Sequence, residues 1–155
     1  MRPAAALLAF TLRAVADPDH DDCVLSTPPD NARVLHYRAD LAGVRAFAAA
    51  AARQAGLLPG RARDFVIAVS ELAANTLAHT KGPGTLTVWS ARHELIGQVR
   101  DTGHITGQHP GQARPGTAGH GLWVVRQVCD RVQIRTGPAG TVIEVCMRLS
   151  PQSAG

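Results

Sequence analysis

Apolar residues recur with helical spacing in three stretches of the chain and alternate as in strands in five others. The longest helical stretch is Arg61–Thr80, twenty residues of good helix formers without an internal glycine or proline. Phe65, Val66, Ile67, Ala68, Val69, Leu72, Ala73 and Leu77 leave it apolar on nearly every side, which predicts a buried helix. Before it, Leu41, Val44, Phe47, Ala48, Ala51, Ala52 and Ala55 form one stripe of a helix over 41–55, capped by Asp40 and closed by Gly56. Leu57–Gly60 reads as a turn. A third helix is expected from Gly119-His-Gly121 to about Asp130, with Leu122, Val125, Val128 and Cys129 facing inward.

The alternating stretches predict strands over 32–39, 85–91, 94–101, 131–136 and 141–149. In 94–101, Leu95, Gly97, Val99 and Asp101 share a face. If the leucine and valine face the core, so does the carboxylate. In 141–149, Thr141 shares a face with Ile143, Val145, Met147 and Leu149, so its hydroxyl belongs to the core side. The succession of elements predicts an α/β (α+β) two-layer sandwich: a mixed, mainly antiparallel sheet covered on one face by about three helices. A chain of 155 residues makes one such domain. We place it at residues 32–149, after a loose N-terminal extension (1–31, Pro- and Asp-rich from 17 onward) and before a short tail (150–155). Residues 103–119 hold five glycines and two prolines and have little apolar anchor beyond Ile105, the composition of a functional lid or a disordered loop.

Aromatic residues are only 4% of the chain, so the core must be built from Val, Leu, Ile and Ala. The net charge of +4 suits an anionic partner, but the arginines are scattered and Lys81 is the only lysine, which argues against a nucleic-acid surface. Cys23, Cys129 and Cys146 are odd in number and far apart, so free thiols and a cytoplasmic location are expected. The apolar start is too short to span a membrane and lacks a good cleavage site for secretion. His20, Asp21, Asp22 and Cys23 are better read as an acidic loop than as a metal site, because consecutive ligands rarely converge on one ion.

The chemistry resides in polar groups set among apolar ones. Glu71, Asn75 and His79 are spaced four apart and stack along one stripe of the long helix. Burying an unpaired polar group costs about 2–7 kcal/mol, so a partner is expected. Asp101-Thr-Gly103 ends a strand, and Gly119-His-Gly121 precedes a helix, where bare N–H groups attract phosphate. Each motif alone is weak; their order and spacing say more.

In that order the chain resembles the GHKL (Bergerat-fold) ATP-binding domains, and most of all the anti-sigma-factor serine/threonine kinases. Glu71-Leu-Ala-Ala-Asn75 matches the N box of that family, Asp101-Thr-Gly103 its first glycine box, and Gly119-His-Gly121-Leu122 its second. The resemblance implies ATP and Mg²⁺ as cofactors. Asn75 would hold the metal, and Glu71 would act as general base toward a serine hydroxyl. Asp101 would accept from the adenine amino group, and Gly103 would give the base room. Gly119, His120, Gly121 and Leu122 would line the phosphates, Thr141 would add a hydroxyl, and residues 104–118 would form the lid. The implied partners are a STAS-domain anti-anti-sigma protein and a sigma factor, with no direct nucleic-acid or membrane contact and with a homodimer left open. The chain departs from the family pattern at His104-Ile-Thr, where a further glycine is common, and at His120, where arginine is frequent. The alternative is a non-catalytic nucleotide-binding module that acts by docking. The ATP-binding half of a histidine kinase ranks lower, because the sequence has no phosphoacceptor hairpin.

Overall fold

The computed structural model describes residues 25–80, 83–101, 115–137 and 140–149. Strand β1 (Arg33–Tyr37) leads into helix α1 (Leu41–Ala55). Asp40 caps that helix by accepting a 3.0 Å hydrogen bond from the Gly43 N–H. Gly56 ends it in the left-handed conformation, with φ 88°, which a glycine adopts without steric cost. Helix α2 runs Pro59–Thr80 and is followed by the hairpin of β2 (Gly84–Ala91) and β3 (Glu94–Asp101). The turn residues Arg92 and His93 both have positive φ, 52° and 65°, which matches the twist of a two-residue hairpin loop. Helix α3 (Pro115–Val128) and the hairpin of β4 (Arg131–Gly137) and β5 (Gly140–Arg148) complete the chain.

The five strands form one sheet in the order β1-β2-β3-β5-β4. Every strand pairing is antiparallel, so the sheet is not mixed as expected from sequence. The reason is where the second hairpin docks: β5 lies against β3 and leaves β4 on the outside, so no two parallel strands become neighbours. The helices cover the face formed by Leu86, Val88, Leu95, Val99, Ile143, Val145 and Met147. This is the α/β sandwich expected, and the inward faces of β3 and β5 are those the alternation predicts. Phe65 of α2 packs on Gly97, with its Cζ and Cε1 3.1 and 3.2 Å from where a Cβ would stand. That contact sets how close α2 comes to the sheet.

Two helix starts and one burial pattern differ from expectation. Helix α2 begins at Pro59 within the predicted turn, and α3 begins at Pro115 within the predicted loop. Proline suits a first helical position, where its missing N–H and fixed φ cost nothing. Helix α2 is buried along one stripe only, through Phe65, Ala68, Val69, Leu72, Ala73 and Thr76, while Ile67 is 36% exposed. The abundance of alanine and valine hid this polarity.

The opposite face of the sheet is partly covered by the chain around Ser26 and Ala32. There Trp89, Ile96 and Cys146 pack together with Ala32 against them. Next to them Glu144, with no exposure, accepts from the Ser26 backbone N–H at 2.9 Å, from its hydroxyl at 3.0 Å and from Gln98 Nε2 at 2.7 Å. Residues 25–31 are thus irregular, as expected, yet fixed to the sheet at Ser26; residues 1–24 lie outside the described residues.

Candidate functional site

A row of residues crosses one end of the sheet. Tyr37 of β1 pairs with Gly84 of β2, which pairs with Asp101 of β3. On the other side Arg100 pairs with Val142, so extending that register by one residue sets Thr141 of β5 beside Asp101. Paired residues share a face, and here it is the face under the helices, since Tyr37 belongs to the main core. Asp101 and Thr141 are 5% and 3% exposed. Gly140 lies directly against Asp101: a Cβ there would overlap the Asp101 carbonyl oxygen and stand 3.3 Å from Oδ1. Gly140 also has φ 124°, a conformation open in practice only to glycine. The backbone therefore closes in on the carboxylate from β5.

Among the described residues the Thr141 Oγ1 is buried with no hydrogen-bond partner. A buried hydroxyl left unpaired costs about 1–3 kcal/mol, and a ligand that supplies the missing partner would recover that cost. A carboxylate that accepts, a hydroxyl that can donate or accept and a floor of backbone suit a flat heteroaromatic ring with an exocyclic amine.

Helix α2 passes over this end. Thr76, 6% exposed, donates its hydroxyl to the Leu72 carbonyl at 3.0 Å. Glu71 and Asn75 are half-buried and occupy a neighbouring side of the helix, not its core stripe. Asp64 precedes Glu71 by two helical turns and so shares that side. Nearby on α2, Arg61 ties the helix to the end of α3: it donates to the Val128 carbonyl at 2.9 Å and to Asp130 at 2.7 Å, and pairs with Asp64 at 3.3 Å. Glu71 and Asn75 are therefore not sunk in the interior as the apolar sequence suggested; their side of α2 adjoins α3. Asp101 and Thr141 are the deeply buried pair.

Gly119, His120 and Gly121 fall inside α3 instead of preceding it, and the side chain of His120 lies outside the described residues. Leu122 is 2% exposed within the main core, so its side chain packs against the fold. Gly103, the span 102–114 that holds most of the predicted lid, and the side chain of His79 also lie outside the described residues. Trp123 is 59% exposed on α3.

Sequence reasoning missed Tyr37 and Thr76 as members of this end of the molecule. Nothing local in the strand over 32–39 showed that Tyr37 faces the core or that Gly84 would leave room for its ring. Thr76 adjoins Asn75, and a threonine in a helix gives no sign of which way its hydroxyl points. The thiols of Cys129 and Cys146 are free, and burial pushes both up to about 12, with Arg61 and Arg131 respectively opposing it. No group of three or more His, Cys, Asp or Glu side chains able to hold a metal ion occurs among the described residues. No helix among them is long and apolar enough to cross a membrane.

A comparison with curated proteins found no significant match. Residues 37–147 match the model of the histidine kinase-like ATPase domain. The match begins at Tyr37, the last residue of β1, ends at the core residue Met147 and spans the elements between them. With nearly the whole described sheet and all three helices inside it, the chain belongs to the histidine kinase-like ATPase domain family, the GHKL fold, whose members bind ATP.

Proposed function

We propose that this domain is an anti-sigma-factor-like, ATP-dependent serine/threonine kinase that phosphorylates a STAS-domain anti-anti-sigma protein and also binds a sigma factor. The observation that carries the reading is the buried Asp101 carboxylate beside the unpartnered hydroxyl of Thr141, at one end of the core under the helices. Asp101 accepts from the adenine amino group and Thr141 completes the base site. Gly103 leaves room for the ring.

Glu71 and Asn75 line the phosphate end. Glu71 takes the proton of the attacking serine hydroxyl. Asn75 offers a single amide oxygen from a half-buried side of α2. One such ligand fits Mg²⁺, which keeps several waters and shares the phosphate oxygens. When bound, the metal neutralises charge on the phosphates. Gly119, His120, Gly121 and the backbone of Leu122 border the same end.

Binding of ATP, followed by calorimetry with and without Mg²⁺, tests the site. Asp101→Asn should weaken ATP in both conditions, and Asn75→Ala only when Mg²⁺ is present. Transfer of labelled phosphate to a serine of a STAS-domain protein tests the activity, and equal transfer by wild type and Glu71→Ala removes Glu71 from the base role.

One observation favours a second reading, a nucleotide-binding module that acts by docking. Since α3 starts at Pro115, its free N–H groups belong to residues 116–118, and those of Gly119 and Gly121 fall past the first turn. A phosphate cradle at Gly119–Gly121 would require that turn to open. ATP binding without transfer to any partner supports this reading.

A further inference from the structure

On the face of the sheet turned away from the helices, one row crosses all five strands. His36 of β1 pairs with Thr85 of β2, Thr85 with Arg100 of β3, Arg100 with Val142 of β5, and Val142 with Arg135 of β4. Paired residues share a face. A 3.2 Å contact joins His36 Nδ1 to Thr85 Oγ1 within the row. Arg100 lies two residues from Gln98, whose amide reaches the Ser26 carbonyl on the outer side. Arg100 and Arg135 are both exposed. They stand on either side of Val142, two strand spacings or about 10 Å apart. The acid in the adjoining row, Glu144, is already engaged by Ser26 and Gln98. Arg100 forms no ion pair among the described residues. Two like charges on one flat surface complement a run of closely spaced carboxylates.

The chain upstream of β1 heads toward this row. Ala32 packs against Trp89, Ile96 and Cys146. Ser26 is held one row further on, between Gln98 and Glu144. The row of Arg100 and Arg135 comes next, two residues or about 6.6 Å along the strands. Upstream of Ser26 the sequence carries Asp17, Asp19, Asp21 and Asp22, with neither lysine nor arginine anywhere in residues 14–32. These four aspartates lie outside the described residues. Asp22 is four residues from Ser26, a reach of up to about 13 Å, which exceeds the spacing of the two rows. We propose that the acidic run Asp17–Asp22 docks on Arg100 and Arg135, extending the Ser26 anchor into an electrostatic strap across the outer face of the sheet. The strap closes this face to acidic segments of other proteins. It does not depend on the nucleotide site, whose buried residues Asp101 and Thr141 face the helices.

The test is cleavage of the full chain by a protease that cuts before aspartate, followed by mass spectrometry. Arg100→Gln/Arg135→Gln removes both charges and leaves every cutting site in place. We expect the double variant to be cut before Asp17, Asp19, Asp21 and Asp22 about fivefold faster than wild type at about 0.02 M salt, and the two rates to converge at about 0.5 M, where screening is strong. Arg100→Gln alone should give a smaller rise, and it serves as the test if the double variant does not fold. Cleavage before Asp30, on the other side of the Ser26 anchor, should change little in either variant. Equal rates for wild type and variant at low salt overturn the strap. A rise that includes Asp30 to the same extent overturns it too, since the substitutions would then have loosened the fold and not released one segment. Protection of the wild type that grows with protein concentration assigns the acidic run to the row of a second copy, and overturns docking within one chain.

Discussion

Ser26 donates both its backbone N–H and its hydroxyl to Glu144, at 2.9 and 3.0 Å, across 118 residues of sequence. Glu144 has no exposure, and Gln98 supplies a third donor from the neighbouring strand. A buried carboxylate is tolerated only when its oxygens are satisfied. Ser26→Ala removes one donor and leaves the charge in place, so it should cost about 1.5–3 kcal/mol. In urea the unfolding midpoint should fall while the slope stays constant. A midpoint equal to that of wild type would mean that the Ser26 hydroxyl contributes nothing and that its backbone bonds alone hold the segment.

This contact also marks the limit of what the sequence discloses. Alternation along β3 and β5 gave the inward faces of Asp101 and Thr141, because a strand's period of two is a local property. The same alternation turned Glu144 and Gln98 away from the core, toward apparent solvent. They are buried because a segment far away in sequence lies over them, and no local pattern records that. The Tyr37 ring over Gly84 was hidden for the same reason. Glu71 and Asn75 erred in the opposite direction: an alanine-rich helix reads as buried all round, although the sheet needs only one stripe of it.

Arg61 joins three acceptors at the junction of α2 and α3: the Val128 carbonyl, Asp130 and Asp64. The Val128 carbonyl is one of the last of α3 and has no partner within its own helix. Both ion pairs are about a third exposed, so solvent discounts their worth and most of the effect should come from the carbonyl bond. Arg61→Ala should destabilise by about 1–2 kcal/mol. Arg61→Lys should recover little of it, since one ammonium cannot serve the geometry of a guanidinium fork. Chemical denaturation of the three proteins checks the order, and a lysine variant as stable as wild type would show that charge alone holds the junction.

Burial pushes the Cys129 and Cys146 thiols up to about 12 from the ordinary 9.0. A thiolate is the reactive form, so both should resist a thiol reagent at pH 8 in the folded protein and react once it is unfolded. The sign of the effect on stability follows from proton linkage. Between about pH 9 and pH 12 the folded state retains protons that the unfolded state releases, so stability is intact below pH 9 and falls as pH rises through that window. Melting temperatures at pH 8, 9.5 and 10.5, compared between wild type and Cys129→Ala/Cys146→Ala, should diverge on the alkaline side. Parallel curves would show that the thiols do not carry the difference.

Thr141 sets stability against function at one atom. Its Oγ1 is buried beside Asp101 with no hydrogen-bond partner among the described residues. Valine has nearly the same shape, suits a strand and removes the unsatisfied oxygen. Without ligand, Thr141→Val should therefore be more stable than wild type, by about 1 kcal/mol, or roughly 2–4 °C for a domain of this size. With ATP the order should reverse, because the hydroxyl is what the base site gains by keeping it. A ligand stabilises by RT ln(1 + [L]/Kd), so a variant that binds about tenfold more weakly forgoes about 1.4 kcal/mol at saturating ATP. Thermal denaturation of both proteins over a series of ATP concentrations should give two curves that cross. A valine variant less stable without ATP would indicate that the hydroxyl already has a partner inside the fold, and a variant that gains as much from ATP as wild type would remove Thr141 from the nucleotide site.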